Sequence, residues 1–228
     1  MNNRTIVVDS SSLITISNNC FIKILKHLSE LEKMEFVIPE SVYQESVKRP
    51  VAIKRFELNA IRIRDAVEEG YIKVMKTTPE LKNETQRIQD ISSKVAQINS
   101  HNLTLVDLGE AETLALMRKI NSNILLIDER TTRMLIEEPE NLAETLSRRH
   151  HGNVRINENI AREFRKEFRD VKIIRSVELM AFAYETGAFA KELHKSKQAL
   201  EAMLFASKFA GCAVSFNEIT EFLKKVKQ

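Results

Sequence analysis

The chain has 228 residues, 43% hydrophobic and 29% charged, which is the composition of an ordinary globular protein with one well-buried core. Its longest apolar runs, such as Ile124–Ile127, are far too short to cross a bilayer, and its first residues read as a strand rather than a secretory signal, so we expect a cytoplasmic protein with no membrane partner. Two isolated cysteines agree with a reducing compartment, and a net charge of +3 does not by itself indicate nucleic acid.

The first fifty residues predict two strands, each followed by a helix. The β-branched run Thr5–Val8 predicts a strand buried on both faces, which stops at Asp9. Apolar residues between Leu13 and Leu31 then recur at helical spacing. Phe36–Ile38 predicts a second short strand, and Pro39 is suited to open the helix that follows it.

Residues 51–105 are charged and mostly helical in period. One apolar stripe runs from Ile53 to Val67, and Gly70 is placed to end that helix. The alternating segment Tyr71–Val74 predicts a third strand. A second apolar stripe, from Ile88 to Ile98, predicts another helix.

The rest of the chain continues the alternation. A helix with acids in its first turn begins near Leu108, and Ile124–Ile127 predicts a buried strand. Val171–Arg175 predicts the last core strand, and the helix after it ends at Gly187. Two amphipathic helices separated at Gly211 complete the chain. Short apolar strands alternating with helices predict an α/β fold: a three-layer α/β/α arrangement with a central, mostly parallel sheet, plus extra helices.

Four acidic side chains are predicted to meet at one edge of this sheet. Asp9 and Asp128 each follow a buried strand, Glu110 begins the helix that leads to the Asp128 strand, and Glu45 lies early in the helix after the second strand. In parallel sheets, ligands bind outside the carboxyl ends of the strands, which is where these residues should lie.

Such a group of carboxylates favours a divalent metal ion. Without a counter-ion, clustered acids raise one another's pKa and destabilise the fold. Mg²⁺ or Mn²⁺ prefers oxygen ligands, and one or two such ions can activate water against a phosphodiester. The expected chemistry is therefore phosphodiester hydrolysis.

Taken singly, these residues have ordinary structural explanations. Asp9 and Asp128 can cap helices, and Glu45 can be a surface residue. Glu110 and its neighbour Glu112 can simply interact with the helix dipole. The metal site is favoured by their combination at one predicted edge.

Other sites built on similar sheets lack their motifs here. The five glycines are scattered singly, which excludes a phosphate-binding P-loop and a dinucleotide fingerprint. No Gly-x-Ser-x-Gly sequence is present for a serine hydrolase. A haloacid-dehalogenase-type phosphatase needs a second Asp at the position of Ser11.

Four segments, in order, resemble the motifs of PIN domains. Val7–Ile14 is similar to the opening strand with its Asp and small hydroxyl residues, and Ile38–Glu45 to the second motif, which ends in a Glu. Leu108–Glu112 resembles the third motif, and Leu125–Arg130 the fourth, which often has two consecutive Asp. The resemblance implies a PIN-like fold and a Mg²⁺- or Mn²⁺-dependent endoribonuclease acting on RNA.

The resemblance also implies roles for particular residues. The expected catalytic residues and metal ligands are Asp9, Glu45, Glu110 and Asp128, with Glu129 as an additional ligand, Glu112 as a weaker candidate, and Ser11 bonded to a ligand carboxylate. Many small PIN proteins are toxins, and a toxin requires an antitoxin-like protein partner. The amphipathic C-terminal helices either bind such a partner, bind a second copy of the chain as a homodimer, or cover the sheet. The alternatives are a non-catalytic PIN-fold scaffold for RNA or protein and a DNA-directed nuclease.

The chain is longer than a minimal PIN toxin. We expect a PIN-like nuclease domain over residues 1–187, with helical insertions near 51–105 and 137–170, and a helical extension over 188–228 packed on the same domain. The second insertion is rich in basic residues, which form either a solvated helix face or an RNA-binding surface. Its expected RNA contacts are Arg148, Arg149, Arg162, Arg165 and Arg169.

Overall fold

A computed structural model describes residues 4–225, which form eight strands and twelve α-helices. The strands are β1 (Arg4–Val8), β2 (Met34–Pro39), β3 (Ile72–Met75), β4 (Ala96–Ile98), β5 (His101–Asn102), β6 (Ile124–Leu126), β7 (Val154–Ile156) and β8 (Lys172–Ile174). The helices are α1 (Ser10–Asn18), α2 (Lys23–Glu32), α3 (Glu40–Tyr43), α4 (Lys54–Glu68), α5 (Pro79–Ser92), α6 (Leu108–Lys119), α7 (Arg130–Glu137), α8 (Leu142–His150), α9 (Glu158–Glu167), α10 (Ser176–Glu185), α11 (Lys197–Phe209) and α12 (Phe216–Lys225).

Five strands form the central sheet in the order β3-β2-β1-β6-β8, and every neighbouring pair is parallel. Helices cover both faces, so the predicted three-layer α/β/α fold with a mostly parallel sheet is confirmed. The strands are uniformly apolar because both of their faces are buried. Side chains alternate between two cores: Ile6 and Val8 enter one and Val7 enters the other.

The two cores are closed by different helices. The core containing Ile6 is covered by α1, α2, α4, α10, α11 and α12, and the core containing Val7 by α5, α6, α7, α8 and α9. In the C-terminal extension, Leu200 and Ile219 are buried in the first core; residues 226–228 of the 188–228 range lie outside the described residues. Across residues 4–225, no helix is long and apolar enough to cross a membrane.

The prediction of a helix through Ile98 is wrong at its end. Helix α5 stops at Ser92, and Ala96–Ile98 forms a strand that pairs antiparallel with β5 and β7 in a separate three-stranded sheet. Asn99 and Ser100 have φ of 48° and 66°, as the tight turn between β4 and β5 requires. The insertions near 51–105 and 137–170 are therefore not purely helical, because strands from both build this sheet.

At the carboxyl edge of the central sheet, β1 and β6 are neighbours. The backbone N–H of Asp9 donates to the carbonyl of Leu126 at 2.9 Å, which brings the ends of these strands together. The residues after β1 and β6 therefore lie side by side.

Candidate metal centre

Asp9 lies at the centre of the carboxyl edge and is buried, with 1% of its surface exposed. Its Oδ2 accepts hydrogen bonds from the backbone N–H of Ser11 at 2.9 Å and from the Ser11 hydroxyl at 2.6 Å. Its Oδ1 is equally buried but has no hydrogen-bond partner within residues 4–225. Burial raises the pKa of Asp9 and the charge of Glu129 adds to this, while the bonds from Ser11 act in the opposite direction.

Ser11 connects the turn after β1 to the turn after β6. While its hydroxyl donates to Asp9, its Oγ accepts from the backbone N–H of Asp128 at 3.0 Å and of Glu129 at 3.3 Å. One hydroxyl thus sets the position of the Asp9 carboxylate relative to the backbone that carries the two later acids.

Glu45 reaches the edge from a π-helical turn, Gln44–Lys48, that continues α3. Its carboxylate lies against the first turn of α6: a Cβ added to Gly109 would be 2.6 Å from Glu45 Oε2. Burial raises the pKa of Glu45, as do the charges of Asp9 and Asp107, whereas a hydrogen bond with the Ser10 side chain and the charge of Arg49 lower it. The absence of a side chain at Gly109 is what allows this close approach.

Glu110 and Glu129 are joined through Thr132. The Glu110 Oε2 accepts from the backbone N–H of Asp107 and from the Thr132 hydroxyl, both at 2.8 Å. The Glu129 carboxylate accepts from the backbone N–H of Thr132 at 2.7 Å and caps α7. Burial, followed by the charges of Asp9 and Glu129, raises the pKa of Glu110 to about 8.

Asp128 is held by hydrogen bonds from outside this group of four acids. It is 1% exposed, and its two carboxylate oxygens accept from the backbone N–H of Ser176 at 2.7 Å and from the Ser176 hydroxyl at 2.8 Å. The carboxylate therefore occupies the N-terminus of α10, where a negative charge is favoured. Glu45, Glu110 and Glu129 each interact electrostatically with Asp9, whereas both oxygens of Asp128 are occupied by Ser176.

Glu112 also lies outside the group. It is buried, and its Oε2 accepts from the backbone N–H of Ser41 at 2.9 Å while the Thr77 hydroxyl donates to its other oxygen. These contacts connect α6 to α3 and to the loop after β3. Glu112 is therefore placed as a buried structural acid.

The composition of the group fits a hard divalent cation. Within residues 4–225, no three His, Cys, Asp or Glu side chains converge closely enough to enclose an ion as they stand. However, the donor atoms are all carboxylate oxygens, Asp9 presents a buried oxygen with no partner, and the acids raise one another's pKa. A cation would supply the missing partner and reduce the repulsion.

The basic residues expected to contact RNA are mostly engaged with carboxylates. Arg149 is the exception: it donates to the Thr131 hydroxyl at 3.3 Å, beside Thr132. Four exposed arginines form ion pairs: Arg148 with Glu144, Arg162 with Glu158, Arg165 with Glu140, and Arg169 with Asp170. Exposed pairs of this kind are weak, so they reduce the free positive charge of the region without excluding phosphate contacts.

Three residues that shape the site are not identified by the sequence reasoning. Thr132 stands three residues after Glu129 at a helix start, which is the spacing of a helix cap and could have identified it. Gly109 immediately precedes Glu110, but nothing local indicates that Glu45 packs on it. Ser176 is 48 residues from Asp128, so no sequence spacing links them.

A family model described as a PIN domain matches residues 5–140. This range contains all four acids of the group together with Asp128. No curated protein and no solved structure gives a match.

Replacing the carboxylates of Asp128 and Glu129 by amides should affect stability differently, because Asp128 is bonded to Ser176 and Glu129 caps α7. Asp128→Asn is expected to lower the free energy of unfolding by about 1–2 kcal/mol, because an amide nitrogen cannot accept the bond that a carboxylate oxygen accepts from Ser176. Glu129→Gln should not lower it, because the amide oxygen still accepts from Thr132 and a repulsive charge is removed. Urea unfolding of both variants measures this; equal losses would contradict the assignment.

Gly109→Ala should displace the Glu45 carboxylate without damaging the fold. The alanine suits a helix better than glycine by about 0.5–1 kcal/mol, so thermal stability should be retained. We expect Mn²⁺ affinity to fall by about tenfold or more, measured by isothermal titration calorimetry. Leu108→Ala, an exposed neighbour, is the matched control, and equal affinities in the two variants would show that Glu45 does not depend on this contact.

The raised pKa of Glu110 predicts how the metal-free protein responds to pH. Its folded pKa of about 8 lies above the unfolded value near 4.5, so the folded state keeps a proton that the unfolded chain has released. Stability should therefore fall as pH rises between these two values. Glu110→Gln should flatten the fall when urea unfolding is measured in chelator at several pH values, whereas the exposed-acid control Glu163→Gln should follow the native chain. Parallel curves for all three proteins would contradict the shift.

Proposed function

The chain belongs to the PIN-domain family, whose fold is of the nuclease type, and we propose that it is a divalent-metal-dependent endoribonuclease that hydrolyses RNA phosphodiesters at its acidic centre. The observation that carries the proposal is the buried Oδ1 of Asp9, which has no hydrogen-bond partner within residues 4–225. The charge of the same residue interacts with those of Glu45, Glu110 and Glu129. A buried carboxylate oxygen without a partner is costly unless a cation binds to it.

The residues that would hold Mg²⁺ or Mn²⁺ are Asp9, Glu45, Glu110 and Glu129. A bound divalent cation supplies Lewis-acid chemistry: it activates water and stabilises negative charge on the phosphodiester. The remaining work belongs to the protein, which must hold the carboxylates in place. Ser11 does so for Asp9 and Thr132 for Glu110 and Glu129.

In this proposal the fourth acid is Glu129 rather than Asp128. Both oxygens of Asp128 already accept hydrogen bonds from Ser176. If Asp128 turned towards a metal ion, the backbone N–H and the hydroxyl of Ser176 would lose their acceptor at the buried start of α10. Glu129 uses one oxygen to cap α7, and its charge already acts on Asp9 and Glu110. Asp128 is then a positioning residue that fixes the turn from which Glu129 extends.

A role as a toxin would add a protein partner to the same chemistry. The corner between α11 and α12 exposes Phe209 and Phe216, with 74% and 54% of their surfaces accessible and ring centroids 6.1 Å apart. Exposed aromatic rings of this kind are frequent in protein interfaces. We propose this corner as the surface for an antitoxin-like partner.

The test of the nuclease proposal is cleavage of a mixed RNA pool in Mn²⁺, Mg²⁺ or chelator. The native chain should cut only with a divalent cation. Asp9→Asn, Glu110→Gln and Glu129→Gln should each lower the rate by about 100-fold or more, since each removes a ligand charge. Glu163→Gln, an exposed acid on α9, serves as the matched control and should retain full activity.

The outcomes separate the proposal from its rivals. Cleavage that survives Asp9→Asn would place the activity at another site or in a contaminant. A folded chain that binds Mn²⁺ but cuts no RNA would favour a single-stranded DNA substrate, which the same assay tests directly. A folded chain that neither binds Mn²⁺ nor cuts either substrate would be a PIN-fold scaffold.

A further inference from the structure

A surface next to the acidic centre combines exposed cations with aromatic rings. It is formed by the last residue of α3, by the π-helical turn that carries Glu45 and the residue after it, and by the first turn of α4. We call it the basic–aromatic surface, and its members are Tyr43, Lys48, Arg49, Arg55 and Phe56.

This surface lies at the same edge of the sheet as the four acids. The charge of Arg49 lowers the pKa of Glu45, so the guanidinium is close to that carboxylate. The turn packs against α1, which begins next to Asp9, and against α4. Helix α4 leads to the start of β3, a strand parallel to β1, so the first turn of α4 points to the carboxyl edge.

The cations of this surface are free of acidic partners. Lys48, Arg49 and Arg55 are exposed, and no carboxylate within the described range 4–225 forms an ion pair with them. The basic segment of α8 and α9 differs, because most of its exposed arginines are paired with neighbouring acids. The surface therefore presents three exposed cations without an ion-pair partner directly beside Glu45.

Each ring of the surface carries a cation over its face, and Phe56 is exposed while Tyr43 is half-buried. The Lys48 Nζ lies 5.9 Å from the centroid of Tyr43, and the Arg55 Cζ lies 5.5 Å from the centroid of Phe56. Phe56 is 44% exposed, and the neighbouring Ile53 is 50% exposed. An exposed ring with an adjacent guanidinium offers a stacking face to a base and a charge to its phosphate.

We propose that the basic–aromatic surface binds single-stranded RNA and directs it to the acidic centre. Stacking on Phe56 requires a base that is not already stacked within a helix, which favours a single strand over a duplex. The three cations without ion-pair partners would contact phosphates of the bound strand as it runs towards Glu45. The choice of RNA rests on the proposed nuclease function; the stacking and phosphate contacts rest on this surface alone.

The experiment measures binding without cleavage. A fluorescently labelled single-stranded RNA of about 12 nucleotides is titrated with the full chain in chelator, and anisotropy is recorded at several salt concentrations. Phe56→Leu keeps an apolar side chain but removes the ring, and should weaken binding about tenfold with an unchanged salt slope. Lys48→Ala combined with Arg55→Ala should weaken binding and reduce the salt slope by about 1.4, because each cation that neutralises a phosphate of a single strand contributes about 0.7 to the slope.

Matched controls use the same residue types on other surfaces. Phe209→Leu replaces an exposed phenylalanine of α11, and Arg162→Ala combined with Arg165→Ala removes two cations of α9. Both should bind within about twofold of the native chain. The substituted residues are exposed, so all variants should share the native thermal midpoint, and Phe56→Tyr should restore binding because it restores the ring.

Two results would overturn the inference. One is that the Phe56 and Lys48/Arg55 variants bind RNA with native affinity while the α9 control loses affinity. This result would show that RNA binds to the basic segment instead. The other is that the binding of duplex RNA depends on Phe56 as strongly as the binding of single-stranded RNA does. Cleavage is recorded separately: if the chain fails to cut RNA but binding still depends on Phe56, the nuclease proposal fails and this inference stands. If cutting is normal and binding does not depend on Phe56, only this inference fails.

Discussion

The arrangement of the candidate site depends on one buried carboxylate at the end of the first strand. Asp9 is held by a bridging hydroxyl, Ser11, which simultaneously accepts from the backbone after β6. Burying an acid costs free energy, and the bonds from Ser11 offset only the part that concerns Oδ2. The other oxygen remains without a partner in the part of the chain that the structure describes, and this constraint gives the surrounding acids a physical reason to share a cation.

The two consecutive acids after β6, Asp128 and Glu129, have different surroundings. The Asp128 carboxylate anchors the start of α10, while Glu129 extends into the acidic group. Because the backbone of both residues is tied to Ser11, stability and site geometry are coupled at this turn. The same coupling occurs at Gly109, where the lack of a side chain gives Glu45 its position.

Charge density along the sequence is a poor guide to free charge on the surface. The segment richest in basic residues folds into α8 and α9. Arg148 and Arg162 there pair with acids one helical turn away, and Arg165 pairs with Glu140 in the turn before α8. The less basic segment beside Glu45 presents its cations over aromatic rings. A nucleic acid strand responds to unpaired charge and to accessible rings, and the surface beside Glu45 combines both next to the acidic group.

Much of the architecture follows from local pattern. The alternation of apolar strands and helices predicts the parallel sheet, and the strand ends place Asp9, Glu45 and Glu110 at its carboxyl edge, because strand periodicity and burial are properties of short segments. The antiparallel sheet of β4, β5 and β7 does not follow from the sequence, since its pairing joins segments far apart in the chain and its apolar spacing also suits a helix. The different surroundings of Asp128, which contacts Ser176, and Glu129, which interacts with Asp9 and Glu110, likewise follow only from the tertiary structure. Glu129 accepts a hydrogen bond from Thr132, which is close to it in the chain, whereas Asp128 accepts from Ser176, which is 48 residues away. Only folding brings Ser176 into contact with Asp128.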